Sequence, residues 1–242
     1  MRVALAWLLV TLAAAGVAVR LGLWQLDRAA QKESLQSLMQ ARAAAPELDS
    51  AGFGAACCAD PGALHYRIVR LHGHWLAGHD VWLENRQMNG RTGLVLLTPL
   101  AVEGRGDAVV VQRGWVARDN DDRTRLPRIA TPTGRVEVAG LIAPPPARLY
   151  EFAPSASGVI RQNLDLPAYA AQTGLALLPV SIRQRDVPGS PADGLQRQWP
   201  APTVDVQKHY GYAFQWFALG ALMTGLYVWL QLLRPRRGRR AR

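Results

Sequence analysis

The feature that most constrains this chain is an uncharged apolar stretch close to its C-terminus. Residues Tyr212 to Leu233 run for 22 positions without a formal charge, and about 20 apolar residues in a helix cross the hydrocarbon core of a bilayer. Thr203 or Asp205 precedes the stretch and can cap a helix there. The sequence therefore predicts a transmembrane helix over residues 204–233.

A second apolar stretch lies at the other end of the chain. Val3 to Val19 contains 17 uncharged residues, and Arg20 can extend its charge outward so that the span continues over residues 1–23. Trp7 and Trp24 would lie about 26 Å apart on this helix, like the aromatic belts at the two membrane surfaces. A cleaved signal peptide is the alternative, since Arg2 and small alanines also suit a cleavage region.

The distribution of positive charge indicates orientation and not nucleic-acid binding. The net charge is +10, but six arginines fall within residues 234–242. Arginine excess beside a span keeps that side in the cytoplasm, where it also meets anionic lipid headgroups. With two spans, both termini are expected in the cytoplasm, and the region between them lies outside, in the periplasm of a bacterium.

Between the spans, the sequence first predicts a helix and then a loop. Residues 24–45 contain no Gly or Pro after Trp24 and continue the first span as a helical extension that Pro46 ends. Residues 46–64 are rich in Ala, Gly and Pro and are expected to form a surface loop. They hold Cys57 and Cys58, the only cysteines, which we interpret as inert thiols, with a copper or redox role as the less favoured alternative.

The pattern changes to alternating apolar residues and short apolar runs from His65 onward. These runs predict seven strands and a mainly antiparallel β domain within residues 46–203, so the fold class is α+β, with barrel and sandwich both open. Asp165 and Gly174 bracket one short helix that begins near Pro167. The predicted strands cover residues 66–76, 80–86, 93–100, 108–116, 135–142, 159–165 and 177–185.

Few residues in this domain carry a recognisable chemical pattern. His72 and His74 share a strand face near His79, but no fourth ligand is apparent, so solvent-facing histidines are preferred to a metal site. No serine lies in a nucleophile elbow and no phosphate-binding loop is present, so an enzyme is unsupported. In "QRGWV", Gly114 is expected at a bulge, with the side chains of Arg113 and Trp115 on one face and Trp115 in the core.

His209 is unusual because it lies at the outer end of the second predicted span. A helical stripe joins it to Tyr212, Ala213, Trp216, Gly220 and Met223. Small residues on this stripe allow close approach of a neighbouring helix or a flat macrocycle. A neutral imidazole at this depth can ligate haem iron. From the residues alone, an interfacial histidine bonded to headgroups or a neighbouring carbonyl is the preferred alternative.

Six motifs follow one another along the chain: "LGLWQLDRAAQK", "GHW", "ENRQMNGRTGLVLLTPL", "VQRGWV", "NLD" and "HYGYAFQWFALG". This ordered set resembles the Surfeit locus protein 1 family of membrane proteins, which are required for assembly of haem-copper cytochrome c oxidase. The resemblance implies a non-enzymatic assembly factor in a bacterial inner membrane, two spans, and no cleaved signal peptide. Its expected partners are oxidase subunit I and other assembly factors.

The resemblance also implies a cofactor and its residues. His209 matches the position associated with haem a in bacterial members, and Tyr212 and Trp216 are expected beside it. Cys57, Cys58 and the 46–64 insertion do not belong to the family pattern. The alternative is a scaffold that holds subunit I without carrying haem, and a membrane-anchored hydrolase is a distant third. Other family positions are Trp24, Gln25, Arg28, Gly73, Trp75, Arg113, Gly114, Trp115 and Gln215.

Overall fold

The computed structural model describes residues 2–119, 121–122, 125–150, 158–189, 192–199 and 205–233. The chain divides into two compact units, which we call the helix pair (Met1–Leu38 with Pro202–Arg242) and the β-rich unit (Met39–Ala201). Each unit is described by itself.

The helix pair consists of the two apolar stretches that the sequence singled out. Helix α1 runs from Arg2 to Ala44 without interruption, and helix α4 covers Val206–Val228 before a π-helical turn at Trp229–Leu233. Asp205 caps α4, because its carboxylate accepts a hydrogen bond from the Lys208 amide at 3.4 Å. Both helices are long and apolar enough to cross a membrane. The alternative cap Thr203 and the arginine-rich tail lie outside the described residues.

Seven strands form the sheet of the β-rich unit, and five of them close into a ring. The ring order is β1, β5, β7, β4 and β3, and it closes because β3 also pairs with β1. All of its pairings are antiparallel except that of β4 with β7, and β2 and β6 extend the sheet beyond β3. The ring decides for a barrel, which the sequence left open. The strands are Ile68–Trp75, Val81–Met88, Arg91–Val102, Ala108–Ala117, Arg135–Ala143, Ile160–Arg161 and Leu177–Gln184.

The ring encloses the largest apolar cluster, and its composition follows from strand alternation. Val69 and Leu71 are fully buried, while Arg70 between them and His72 after them are partly exposed. The inner positions of the ring strands therefore supply one core. Its members from the strands are Val69, Leu71, Leu100, Val102, Val109, Val111, Val138, Ile142, Leu178, Val180 and Ile182.

The predicted surface loop over residues 46–64 is wrong. Ser50–Ala59 form helix α2, capped by Asp49, and a 3₁₀ turn follows at Pro61–Leu64. Phe53 and Cys57, four residues apart on one face of α2, are buried in the ring core, Cys57 with 1% of its surface exposed. Burial of this face outweighs the turn-forming composition. The side chain of Cys58 lies outside what the structure describes.

Helix α3, Leu166–Thr173, forms where its flanking residues predict it. The Asp165 carboxylate accepts from the Ala168 amide at 3.0 Å, and Gly174 takes the left-handed conformation that ends the helix. Its Tyr169 packs in a second cluster on the outer face of the barrel, with Leu83, Val95 and Trp115. The predicted α+β class with a mainly antiparallel sheet between two apolar terminal helices is confirmed.

Candidate functional site

Small residues bring α1 and α4 into direct contact along the helix pair. Ala18 and Gly22 of α1 and Ala213 and Gly220 of α4 are all buried. A Cβ atom added to Gly220 would lie 3.4 Å from the Cβ of Ala18, and one added to Gly22 would lie 2.6 Å from the Phe217 ring. The small-residue stripe is therefore used for helix packing, so these positions leave no space for a flat group between the helices.

Polar side chains join the same two helices at the end where α4 begins. His209 is half-buried, and its Nδ1 lies 2.7 Å from the amide oxygen Oε1 of Gln25. One residue on, the Tyr210 hydroxyl donates to a carboxylate oxygen of Glu33 at 2.9 Å. Two hydrogen bonds thus link α1 to α4 at this end, and His209 takes part in one of them.

The bond to Gln25 determines which nitrogen of His209 can accept or ligate. An amide oxygen only accepts, so in the neutral imidazole Nδ1 carries the proton and Nε2 has the lone pair. Among the described residues, only Nδ1 of His209 forms a hydrogen bond. Metal-ligating histidines commonly donate a hydrogen bond from one ring nitrogen and bind the metal through the other, and His209 has this arrangement of one bonded and one unbonded nitrogen.

The other sequence-predicted residues of the helix pair surround this histidine to different degrees. Trp216 is half-buried and Tyr212 is 50% exposed, at helical offsets that put both on the side of α4 that carries His209. Gln215 is exposed on α4. Trp24 on α1 is 45% exposed, and the guanidinium of Arg28 stacks 5.6 Å from its ring centroid.

The remaining family positions lie inside the β-rich unit and are packed there. A Cβ atom on Gly73 would lie 2.1 Å from the Ala101 carbonyl oxygen, and one on Gly114 would lie 2.6 Å from the Leu195 Cβ. Arg113, 3% exposed, stacks 4.9 Å from the Trp75 ring centroid. Its guanidinium also donates to Thr131 Oγ1 and the Ala130 carbonyl, at 2.7 and 3.0 Å. Burial lowers the pKa of Arg113, which the nearby carboxylates of Asp193 and Asp80 partly offset.

The expectation that Arg113 and Trp115 share a face is wrong. The register of β3 and β4 passes from Leu96–Gly114 to Leu97–Gln112, so Arg113 is an extra, bulged residue. The bulge reverses the alternation that follows it. Arg113 therefore stacks on Trp75, which packs against the ring core, whereas Trp115 is 1% exposed in the outer cluster. A bulge is present, but its extra residue is Arg113 and not the expected Gly114, which pairs with Leu96; the expected core position of Trp115 is confirmed.

The histidines of the β-rich unit do not gather into a metal site. His72 Nε2 lies 3.3 Å from a carboxylate oxygen of Glu137, beside Arg70, which bonds the same carboxylate. Within the described ranges, no group of three or more His, Cys, Asp or Glu side chains is arranged to hold a metal ion.

Sequence reasoning alone did not identify the α1 partners of His209 and Tyr210, which are Gln25 and Glu33. Gln25 entered only as a family position without a role, and Glu33 was not considered. The available signal was the spacing of small residues on α1, Ala18, Gly22 and Ala29, which marks the face that packs against α4. Gln25 lies on that face, so a polar residue there is expected to meet a polar residue of the other helix.

A family comparison covers most of this architecture. The model of the SURF1 family matches residues 12–221, from the first apolar helix through the barrel and into α4. The chain belongs to the SURF1 family. The resemblance carried by the sequence motifs is thereby confirmed, and the SURF1 family is a family of assembly factors and not of enzymes.

Individual relatives agree with the family model at low identity. A SURF1-like protein of Drosophila melanogaster is 26% identical over 231 residues, covering 86% of this chain and 71% of the relative. A SURF1-like protein of Rickettsia bellii is 26% identical over 215 residues, covering 87% and 85%. The yeast protein named cytochrome oxidase assembly protein SHY1 is 28% identical over 132 residues, covering 53% of this chain and 33% of its own length.

Proposed function

We propose that this protein is an assembly factor for haem-copper cytochrome c oxidase, and that His209 holds haem a during its insertion into or retention in subunit I. Membership of the SURF1 family and similarity to a yeast protein named for cytochrome oxidase assembly support the first part. The observation that carries the second part is the 2.7 Å contact between His209 Nδ1 and Gln25 Oε1.

The argument from that contact is chemical. Haem iron takes a neutral imidazole nitrogen as an axial ligand. Gln25 retains the proton on Nδ1 and orients the ring, so Nε2 is left as the ligating atom, and an acceptor on the distal nitrogen also increases ligand basicity. His209 is the only histidine of the helix pair. A further iron ligand would therefore come from another part of the chain or from a partner, or the position would stay open, which would suit a protein that must release its cargo.

The surroundings of His209 favour binding beside the contact of the two helices and not between them. The contact of Gly220 with Ala18 and the ring of Phe217 over Gly22 occupy the interhelical space. Tyr212 and Trp216 offer ring surface three and seven residues beyond His209 on its own side of α4. We therefore assign the macrocycle to this aromatic face, with His209 as the iron ligand.

The proposed setting is a bacterial inner membrane crossed twice. The two helices are candidate spans, and the six arginines after α4 favour a cytoplasmic C-terminus. Both termini are then cytoplasmic and the β-rich unit is periplasmic. The expected partners are oxidase subunit I, other assembly factors and membrane lipid. The proposed boundaries are 1–23 and 204–233 for the spans, 24–45 for the helical extension, 46–203 for the β domain, and 234–242 for the tail.

The experiment is to purify the full chain from cells that make haem a and to record its pyridine haemochrome and reduced spectra. We expect haem a with the wild-type protein and loss of most of it with His209→Ala. His74→Ala removes an exposed histidine of the β-rich unit and is the matched control, which should keep full occupancy. Equal haem a occupancy and spectra for wild type and His209→Ala would show that His209 is not the ligand.

A scaffold that binds subunit I without haem is the second candidate function. The exposed Trp24, stacked by Arg28, supports it, because an exposed aromatic side chain on a helix offers a contact for another helix. Trp115 is buried and cannot belong to such a surface. Haem-free wild-type protein that still co-purifies with subunit I from a haem-a-competent host would favour the scaffold.

A further inference from the structure

The β-rich unit contains a cavity that the proposed haem site does not use. Its volume is about 400 Å³, within the range of small-molecule sites. Strands β2, β3 and β4 and the segment around Pro146 to Leu149 contribute to its wall. Arg86 and Arg183 line it together with Gln112, Trp115 and Trp199.

Both arginines bring a positive charge to this cavity, and neither has a negative partner among the residues that the structure describes. Arg86 donates from its two terminal nitrogens to the Ala147 and Gln162 carbonyls, each at 2.7 Å, but its buried Nε has no acceptor. The Nε of Arg183 is likewise buried without an acceptor. Neither guanidinium forms an ion pair within the described ranges, and burial lowers the pKa of both.

Other shielded arginines of the same unit do have partners. Arg197 bonds the carboxylates of Asp186, at 2.7 Å, and Asp193. Arg105 bonds Asp107 at 2.7 Å through its Nε. A buried charge without a partner is costly, and these two arginines are paired with carboxylates. Arg67 and Arg113 also leave a buried Nε without an acceptor, but neither lines this cavity, whereas Arg86 and Arg183 both do.

The rest of the cavity wall consists of aromatic and aliphatic side chains. The indole N–H of Trp115 donates to the Arg86 carbonyl at 2.8 Å, and that of Trp199 donates to the Gln184 carbonyl at 2.7 Å. Since its polar indole edge is already bonded, the half-buried Trp199 contributes ring carbon, whereas Trp115 is only 1% exposed. Leu83, Met88 and Val95 add aliphatic surface.

From this combination we infer that the cavity binds a small organic carboxylate, whose oxygens accept from the terminal N–H groups of Arg183, beside the positive charge of Arg86, and whose apolar body packs against Trp199. The carboxylate supplies the missing negative charge, and charge-assisted hydrogen bonds of this kind are the strong ones. A simple inorganic anion would neutralise the charge but leave the aromatic wall uncovered. The site is independent of His209 and of haem.

The test uses the full-length protein in lipid nanodiscs and isothermal titration with 2-naphthoate. The neutral 2-naphthamide has the same rings without the charge, and acetate has the carboxylate without the rings. We expect one saturable site for 2-naphthoate and at least about tenfold weaker binding of each comparison compound. Absence of saturable 2-naphthoate binding, or equal binding of 2-naphthamide, would overturn the inference without any variant.

Arg183→Leu is the informative variant, because Arg183 forms no hydrogen bond within the described ranges that its removal would break. It is expected to weaken 2-naphthoate binding by about tenfold or more and to unfold at the same or a higher temperature, since an uncompensated buried charge is removed. Arg91→Leu removes an exposed arginine outside the cavity and should bind like wild type. If Arg183→Leu binds 2-naphthoate as tightly as Arg91→Leu, the site is not the one inferred.

Discussion

Two arginine–tryptophan stacks, one in each unit, use the same chemistry in opposite environments. Arg113 lies 4.9 Å from the Trp75 ring in the β-rich unit with only 3% of its surface exposed, and Arg28 lies 5.6 Å from the exposed Trp24 on α1. The buried pair is held by further hydrogen bonds to Thr131 and Ala130. The exposed pair leaves much of its aromatic surface free.

The difference separates the family positions into two groups. Gly73, Trp75, Arg113, Gly114 and Trp115 fill contacts inside the β-rich unit, so their identities are explained by packing. Trp24, Gln25, Arg28 and the aromatic residues of α4 are exposed or half-buried, so packing does not account for them fully. The comparison predicts that changes in the first group lower stability and changes in the second alter binding.

The largest expected effect is at the two closely packed glycines. In Gly73→Ala the new methyl group meets the backbone carbonyl of Ala101, which cannot move without opening the β1–β3 pairing, so we expect a loss of about 3 kcal/mol. In Gly22→Ala it meets the Phe217 ring, which can turn, so about 1 kcal/mol is expected. Thermal unfolding of the full chain in detergent measures both.

Gly106→Ala is the control for the glycine pair, because a Cβ atom there meets nothing within 4 Å. It should unfold within about 0.5 kcal/mol of wild type. Equal losses of stability for Gly73→Ala and Gly22→Ala would contradict the argument that a clash with the backbone costs more than a clash with a side chain that can move.

The two tryptophans of the arginine stacks give the next effect. Trp75→Ala removes a half-buried ring that covers Arg113 and packs against the ring core, so we expect a loss of about 2–3 kcal/mol. Trp24→Ala removes an exposed ring and should cost less than about 1 kcal/mol. Denaturant unfolding followed by circular dichroism provides the comparison, and a larger loss for Trp24→Ala would reverse it.

The sequence predicts these elements well where the signal is local. The two apolar helices, the seven strands and the cap residues of α3 all follow from charge-free length, alternation or short-range hydrogen bonding. The closure of the ring does not, because the pairing of Gly73 with Val102 is a choice of register between distant residues. Helix α2 was hidden by its Gly and Ala content, and only the burial of Phe53 and Cys57 explains it.

The candidate site was predictable in part for the same reason. His209 is marked by its place at the start of an uncharged stretch, whereas its hydrogen bond to Gln25 joins residues 184 positions apart. The bulge at Arg113 is also set by pairing with β3 and not by local sequence. Contacts of this kind become visible only when the elements are assembled.

Gln25 provides the third prediction, which concerns binding and not stability. Gln25→Leu removes the acceptor from His209 Nδ1, so we expect about 10- to 100-fold weaker haem a binding. Unfolding should stay within about 1 kcal/mol of wild type, since a half-buried hydrogen bond contributes little. Haem titration of the purified apoprotein, followed by absorbance, measures the affinity.

A separate readout tests the role of Gln25 without haem. Nitrogen NMR of histidine-labelled apoprotein, with His209→Ala for assignment, should show the Nδ1–H form in wild type and appearance of the Nε2–H form in Gln25→Leu. Gln25→Glu keeps an acceptor and should restore both the Nδ1–H form and binding. An unchanged tautomer in Gln25→Leu would mean that Gln25 does not orient His209, whether or not the protein binds haem.

The smallest expected effect tests whether the importance of a residue for stability depends on its burial and not on the unit in which it lies. Glu137 lies on the β-rich unit but is well exposed, and its hydrogen bond with Arg70, helped by the nearby His72, lowers the pKa of the Glu137 carboxyl. The pKa of Glu137 is lower in the folded than in the unfolded protein. The Glu137 carboxylate therefore stabilises the fold above about pH 4.5, and this stabilisation is lost as the pH falls through the folded pKa. Exposure and salt screening keep it small.

Glu137→Gln is therefore expected to lower the unfolding temperature at pH 7 by no more than about 2 °C, and to differ less from wild type at pH 3 than at pH 7. Glu84→Gln, which removes a carboxylate with no ion pair within the described ranges, is the matched control and should leave the pH 7 value unchanged. Differential scanning calorimetry at both pH values measures the shift. A loss of stability at pH 7 as large as that of Trp75→Ala would mean that any residue of the β-rich unit can be important for stability, whether or not it is buried. The division of the family positions by exposure would then be wrong.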